Sequence, residues 1–207
     1  MELAALVTAF TTLFVIIDPI GLTPIFVALT PGMTPAVRRV IAFRACALAA
    51  IILLAFTLFG EALLDTIGIS MPAFRIAGGV LLFLTALDML FERRTARREG
   101  QAHEEEDPTD DPSVFPLAIP LIAGPGAIAT MILLAGSAEG AAGIAAILGV
   151  MAAVVGLTFL FFLAAPPIER ALGRTGIVVV TRLLGMLLAA LAVQFILDGL
   201  RSFGFAG

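Results

Sequence analysis

The sequence predicts an all-α membrane protein with six transmembrane helices arranged as two inverted repeats of three helices each. Hydrophobic residues make up 60% of the 207 residues, and the mean hydropathy is +1.11, whereas soluble domains are about 45–50% apolar. The apolar runs are continuous and do not alternate over segments of about 10 residues, as the strands of a β-barrel do. A charged segment divides the apolar chain into two halves, each with three apolar runs.

Six apolar runs provide the transmembrane helices. The first is followed by the turn-forming sequence Thr30-Pro31-Gly32. The start of the chain has neither a basic segment nor a small-residue cleavage site, so we expect the first run to remain in the protein. The runs cover residues 3–29, 40–60, 72–91, 114–136, 141–166 and 177–199.

The charged segment at residues 92–113 separates the two halves. A group of arginines comes first, and a run of acidic residues around His103 follows. A solvated linker without fixed structure is favoured for this composition, and we prefer it to a metal-binding role for His103. The chain therefore divides into a first three-helix repeat (1–91), the linker (92–113) and a second, inverted three-helix repeat (114–207).

Every cation is an arginine, and the positions of these arginines predict the orientation. Of the 12, only Arg75 and Arg201 fall on the side of the membrane opposite the linker. Because basic loops stay in the cytoplasm, we expect the linker to be cytoplasmic and both termini to be outside. The arginines on the linker side are Arg38, Arg39, Arg44, Arg93, Arg94, Arg97, Arg98, Arg170, Arg174 and Arg182.

The two halves match each other at several points. Three matches occur in the same order, with nearly constant offsets of 106 to 108 residues. Because each half has an odd number of spans, the second half must enter the membrane inverted, which is typical of secondary transporters. The matches are Glu61-x2-Leu64-x3-Gly68-Ile69 with Glu169-x2-Leu172-x3-Gly176-Ile177, Arg75-x2-Gly78 with Arg182-x2-Gly185, and Pro19 with Pro125.

The sequence Asp18-Pro19-Ile20-Gly21 interrupts the first span. A carboxylate in hydrocarbon costs roughly 2.5–3.5 kcal/mol, and proline removes helical hydrogen bonds. Non-helical backbone at this depth is tolerated only where it is buried in protein or lines a cavity. The second half has Gly124-Pro125-Gly126 at the matching position, so we expect the first and fourth helices both to be broken near the midplane.

Both interruptions have the sequence of a helix start. Asp18 and Gly124 suit the N-cap, and Pro19 and Pro125 suit the first helical position. Two helix N-termini, each with about half a positive charge, would then converge and bind a carboxylate. Asp18 would hold a substrate ammonium, Na⁺ or a proton. The candidate substrate-binding residues are Asp18, Pro19, Ile20, Gly21, Gly124, Pro125, Gly126 and Thr130.

Alternatives stay open for the polar residues. Asp18 would equally serve to cap a kinked helix without binding a ligand. Arg75 and Arg182 occupy matched positions at the starts of the third and sixth spans. At these positions the two arginines would gate the path of a transported solute, pair with acidic residues of their own halves, or anchor the helices at the membrane interface.

The two interrupted segments resemble the MarC (UPF0056) family. The resemblance rests on residues 18–30, Asp-Pro-Ile-Gly-Leu-Thr-Pro-Ile-Phe-Val-Ala-Leu-Thr, and on residues 116–130, Pro-Leu-Ala-Ile-Pro-Leu-Ile-Ala-Gly-Pro-Gly-Ala-Ile-Ala-Thr, and it extends over the flanking spans. It implies a six-span inner-membrane protein similar to LysE-type exporters and to small neutral amino-acid transporters coupled to cations. Family members often carry asparagine after the first glycine. Leu22 stands there in this chain, so an amide that would contact substrate is absent.

The sequence therefore predicts a secondary transporter of the bacterial inner membrane that moves a small polar solute, a neutral amino acid, by alternating access. We expect no cofactor, with Na⁺ or H⁺ as the coupling ion. The expected partners are the lipid bilayer and a small-molecule substrate, not nucleic acid, and a homo-oligomer is left open.

No enzyme is expected, because one histidine in a loop leaves no Ser-His-Asp set and no metal-binding helix motif is present. The alternatives are an exporter or channel for other small metabolites and a membrane assembly protein without a solute path.

Overall fold

The computed structural model describes residues 3–91 and 111–203, and its elements in these ranges are all helical. Residues 92–110 of the predicted linker, including His103, lie outside the described residues. In the described ranges, five helical segments are long and apolar enough to cross a membrane, or six if the bent pair Ser113–Ile122 and Pro125–Gly136 counts as one span. The helices are α1 (Leu3–Ile17), α2 (Pro19–Leu29), α3 (Pro35–Thr66), α4 (Met71–Leu90), α5 (Ser113–Ile122), α6 (Pro125–Gly136), α7 (Gly140–Leu163) and α8 (Ala165–Ser202).

Two of these helices extend beyond the predicted apolar runs. α3 begins at Pro35, where the Thr34 hydroxyl accepts a hydrogen bond from the Val37 N–H at 3.4 Å. α8 begins at Ala165, and its helical conformation is interrupted only at Gly173, which has a φ of 60°. Hydropathy marks the apolar part of a membrane helix, whereas polar turns at the membrane surface stay helical because their backbone groups still need partners.

α5 is an irregular helical segment that contains two prolines. Phe115 and Ile119 precede these prolines and have extended backbone, with ψ values of 132° and 125°, because the proline ring disfavours the helical conformation of the residue before it. Both Xaa-Pro bonds are cis. α5 and α6 meet at an angle of 55°.

Glycines bring α4 and α8 into close antiparallel contact. A Cβ atom added to Gly79 would lie 2.7 Å from Ile196 Cγ1 and 2.9 Å from the Ala192 carbonyl oxygen. A Cβ atom added to Gly185, further toward the N-terminal end of α8, would lie 2.9 Å from Met89 Cβ. The absence of a side chain at these positions lets the backbones approach, as small residues do between membrane helices.

Replacing Gly79 by valine is expected to destabilise the α4–α8 pair by about 1–3 kcal/mol, because the added side chain meets a backbone carbonyl that cannot move aside. The chain has no Trp or Tyr, so unfolding is best followed with a thiol-reactive fluorogenic dye that reads the single cysteine, the buried Cys46. Gly156→Ala is the matched control, since a Cβ atom at Gly156 meets nothing within 4 Å. An unchanged melting temperature for Gly79→Val would contradict this packing.

An ion pair joins the first half of the chain to the end of the linker, on the side of the bundle where α4 ends and α5 begins. Arg44 Nη1 of α3 lies 3.2 Å from Asp111 Oδ2, and the Ser113 N–H donates to Asp111 Oδ1 at 3.0 Å. Hydrogen bonding by Ser113, and then the Arg44 guanidinium, holds the pKa of Asp111 below its usual range. Because the pair is solvent-exposed, it adds little stability and mainly fixes the start of α5 against α3.

Candidate functional site

The interruption between α1 and α2 consists of one residue, Asp18, in a left-handed conformation. Its φ and ψ are 57° and 63°, values that non-glycine residues adopt rarely and aspartate more readily than most. The hydrogen bonds continue across it, because its N–H donates to the Phe14 carbonyl at 2.9 Å and its carbonyl accepts from the Leu22 N–H at 3.0 Å. Asp18 is only 1% exposed. A carboxylate is thus held in the interior of an apolar span.

The Asp18 carboxylate caps its own helix. Oδ1 accepts a hydrogen bond from the Gly21 N–H at 3.0 Å, and Pro19 occupies the first helical position. The carboxylate packs so closely over Gly21 that a Cβ atom there would collide with Oδ2. The Thr23 hydroxyl donates to the Pro19 carbonyl at 2.9 Å. The turn is therefore specified by the side chains around it.

The matching interruption between α5 and α6 has no acid. Gly124 is the N-cap of α6, offers no side-chain hydrogen bond and is followed by Pro125 at the first helical position. A Cβ atom on Gly124 would lie 2.5 Å from the Pro120 carbonyl oxygen, so only glycine fits this turn. Pro125 is exposed, and Gly124 and Gly126 are half-buried.

The two interruptions lie next to each other. A Cβ atom added to Gly126 would lie 3.4 Å from Ile16 Cγ2, at the end of α1, and 3.5 Å from Leu82 Cδ2 of α4. Ile16 is two residues before Asp18, so the start of α6 packs against the turn that carries the acid. The Thr85 hydroxyl would lie 4.0 Å from the same added Cβ atom of Gly126, and it donates a hydrogen bond to the Leu81 carbonyl.

A cavity of about 250 Å³ lies between α2 and α8 and reaches Gly21. Arg174 is exposed and Glu169 is half-exposed, whereas Thr181 is buried. A helical rise of about 1.5 Å per residue places Thr181 roughly 10 Å from Arg174 along α8. The cavity therefore leads from charged residues at its mouth to the hydroxyl and glycine at its inner end. Its lining residues are Gly21, Pro24, Glu169, Arg174, Ile177, Val178 and Thr181.

Four buried hydroxyls in the described helices have no hydrogen-bond partner, namely those of Thr12, Ser113, Thr130 and Thr181. Seven other threonines, six of them in helices and Thr30 at the C-cap of α2, donate to the carbonyl four residues earlier, which is the usual local bond of a membrane helix. Leaving a buried hydroxyl without a partner costs about 1–3 kcal/mol. These four side chains thus remain able to bind a ligand or water.

Two contacts near its C-terminus hold α2 in place. Phe26 stacks on Phe162 of α7 with a centroid distance of 4.5 Å. At the end of α2, the Arg38 guanidinium donates to the Thr30 carbonyl from Nε at 3.2 Å and from Nη2 at 2.9 Å. A cation at a helix C-terminus is also favoured by the helix dipole.

The structure groups some of the predicted site residues and separates others. Asp18, Pro19 and Gly21 are buried, and Thr130 is fully buried one turn after Gly126. Ile20 is half-buried beside them. Arg75 is half-buried at the start of α4, and Arg182 is exposed on α8. Neither arginine lines the cavity. Within the described ranges, no group of three or more His, Cys, Asp or Glu side chains could hold a metal ion.

Sequence reasoning missed the cavity residues on α8. Arg174 was assigned only to the membrane orientation, and Glu169 only to the repeat and to a pairing with the arginine of its own half. Thr181 was not singled out, although a hydroxyl in the apolar run Ile-Val-Val-Val-Thr is visible in the sequence. The signal was weak because most threonine hydroxyls in such runs donate a hydrogen bond to a carbonyl of their own helix.

The chain is similar to known membrane proteins over nearly its whole length. The family model described as "MarC family integral membrane protein" matches residues 3–203. A UPF0056 membrane protein of Methanocaldococcus jannaschii is 39% identical over 202 residues, covering 97% of this chain and 98% of that protein. The UPF0056 membrane protein YvbG of Bacillus subtilis is 41% identical over 203 residues, covering 97% and 96%.

The similarity also includes a protein of known cellular location. The UPF0056 inner membrane protein YhgN of Escherichia coli is 34% identical over 196 residues, covering 95% of this chain and 96% of that protein. No solved structure shows a significant match to the chain.

Proposed function

The chain belongs to the MarC family of integral membrane proteins, and we propose that it is an inner-membrane secondary transporter that moves a small neutral amino acid by alternating access. The observation that carries this proposal is Asp18, an acid buried to 1% exposure in a left-handed turn between two apolar helices. An acid at this depth is costly, and asparagine or serine would cap the helix without a charge. The charge therefore indicates a binding role.

The proposal includes two inverted repeats whose first helices are broken near the midplane. Its support is that α2 and α6 both start with proline directly after a turn, and that α4 and α8 run antiparallel. Gly32 and Gly140 lie 108 residues apart and both have left-handed backbone, with φ values of 65° and 64°. The orientation that we propose has the linker in the cytoplasm and both termini outside, as the arginine distribution favours.

The two interruptions have different roles in the proposed site. The Gly21 N–H is engaged by Asp18 itself, so a substrate carboxylate would bind at the N-terminus of α6, where Gly124 leaves the first amides without a side-chain cap. Asp18 would take the substrate ammonium or the coupling ion, Na⁺ or H⁺. Because Ile16 lies close to Gly126, the N-terminus of α6 and Asp18 are near each other. This supports binding of the substrate carboxylate and ammonium in one site.

Three of the four unsatisfied hydroxyls, those of Thr12, Thr130 and Thr181, lie along a route on both sides of Asp18. Thr12 comes before Asp18 on α1 and Thr130 lies on α6, the helix that packs against the end of α1, so both belong to the side away from the linker. Thr181 lines the cavity on the linker side. Polar groups within a membrane span mark substrate or ion pathways. In this proposal, the cavity belongs to a state that is open toward the linker side.

Uptake of labelled glycine and alanine into proteoliposomes, with and without a Na⁺ or H⁺ gradient, tests the proposed function. Saturable flux that increases with an ion gradient supports a carrier. Flux that does not saturate and ignores the gradient would instead identify a channel. Absence of flux for amino acids and other small metabolites would favour a membrane assembly protein.

A further inference from the structure

We propose that the cavity between α2 and α8 is a recognition site for small zwitterions, with Glu169, Arg174 and Thr181 as its specificity-determining residues. This inference rests on the proposed transport function and extends it to residues outside the two interruptions. The site would receive the solute on the linker side before it reaches Asp18.

The volume of the cavity limits the size of its ligand. Its 250 Å³ is below the roughly 300–1,000 Å³ of pockets for drug-sized molecules. Pro24 and Val178 provide apolar walls, and Gly21 adds no side chain. A solute with few heavy atoms fits, whereas peptides and sugars with several rings do not.

The charges that line the cavity determine the class of ligand. Glu169 supplies one negative charge and Arg174 one positive charge, and the other lining residues are neutral. A cavity with both signs and no net charge suits a solute that carries an ammonium and a carboxylate. An anion or a cation alone would leave one of the two side chains facing a like charge.

Thr181 provides the polar contact at the inner end. It is 5% exposed, lines the cavity, and its Oγ1 has no hydrogen-bond partner in the described residues. The hydroxyl of Thr158, buried in α7, is instead satisfied by the Val154 carbonyl at 2.9 Å. Gly21, whose N–H donates a hydrogen bond to Asp18, also lines the inner end of the cavity. A solute bound to Thr181 thus lies next to the turn that carries the acid.

Thiol labelling of purified protein tests this site without relying on transport. In a Cys46→Ala background, which removes the only native thiol, the Thr181→Cys variant should react with a small charged methanethiosulfonate reagent. Millimolar glycine should slow that reaction at least fivefold, whereas sodium acetate and methylammonium chloride should not. The Thr158→Cys variant is the control and should remain unreactive. An unreactive Thr181→Cys variant, or a reaction that glycine does not slow, would overturn the proposal.

A transport readout separates this inference from the proposed function. We expect Thr181→Val to raise the KM for glycine uptake roughly fivefold with kcat unchanged, as expected for one hydrogen bond, and Thr158→Val to leave KM unchanged. Uptake by the unmodified protein with an unchanged KM in Thr181→Val would overturn the inference while the transport function stands. Protection by glycine without any uptake would support the site and contradict transport.

Discussion

Replacing Asp18 by asparagine is expected to lower gradient-driven amino-acid uptake at least tenfold while leaving the protein folded. Asparagine tolerates the left-handed conformation of this position and is a good N-cap, so the turn to Gly21 is retained. The amide has no charge for an ammonium or a coupling ion, and hydrogen bonds to charged groups are worth about 1.5–3 kcal/mol. Uptake and thermal stability are measured on the same preparations.

The control for this substitution is Asp65→Asn, which changes an exposed acid in the last turn of α3. It should leave uptake unchanged. Full uptake by the Asp18→Asn variant would mean that Asp18 serves only as a helix cap, which is the alternative that the sequence left open.

Replacing Gly21 by alanine is expected to destabilise the protein by on the order of 3 kcal/mol and to abolish uptake. The added Cβ would collide with the Asp18 carboxylate, so the cap is lost, which costs about 0.5–2 kcal/mol. The displaced carboxylate then stays buried without its hydrogen bond from Gly21, which adds a further penalty. The melting temperature is read from the reactivity of Cys46.

The matched control is Gly149→Ala in α7, because a Cβ atom at that position meets nothing within 4 Å. Alanine favours a helix over glycine by about 1 kcal/mol, so this variant should be as stable as the unmodified protein or more so. Equal stability of Gly21→Ala and Gly149→Ala would contradict the geometry of the Asp18 turn.

The positions of the membrane helices could be predicted because hydropathy and proline–glycine signals act locally. The N-cap roles of Asp18 and Gly124 and the first-turn prolines are read directly from residue type. The lengths of α3 and α8 were underestimated, because their polar turns carry no hydropathy signal. The helical turns around Gly173 are an example, since charged residues flank them in the sequence.

The cavity could not be predicted, because it depends on how α2 packs against α8, far apart in the chain. Thr181 has the same residue type as Thr158, and apolar residues precede both, yet only Thr158 satisfies its hydroxyl within its own helix. The N-cap role predicted for Asp18 engages the Gly21 N–H, a consequence that the prediction of two carboxylate-binding N-termini did not include. It moves the expected place of a substrate carboxylate from both interruptions to the one at α6.

Counterflow in proteoliposomes tests alternating access around Asp18 most directly. Vesicles preloaded with unlabelled alanine are diluted into a trace of labelled alanine, without any ion gradient. The proposed carrier predicts a transient accumulation of label above its equilibrium level. The reason is that each outward step is made with unlabelled alanine bound, so that labelled alanine enters faster than it leaves. Label that only equilibrates without an overshoot, or that does not enter, would contradict the account.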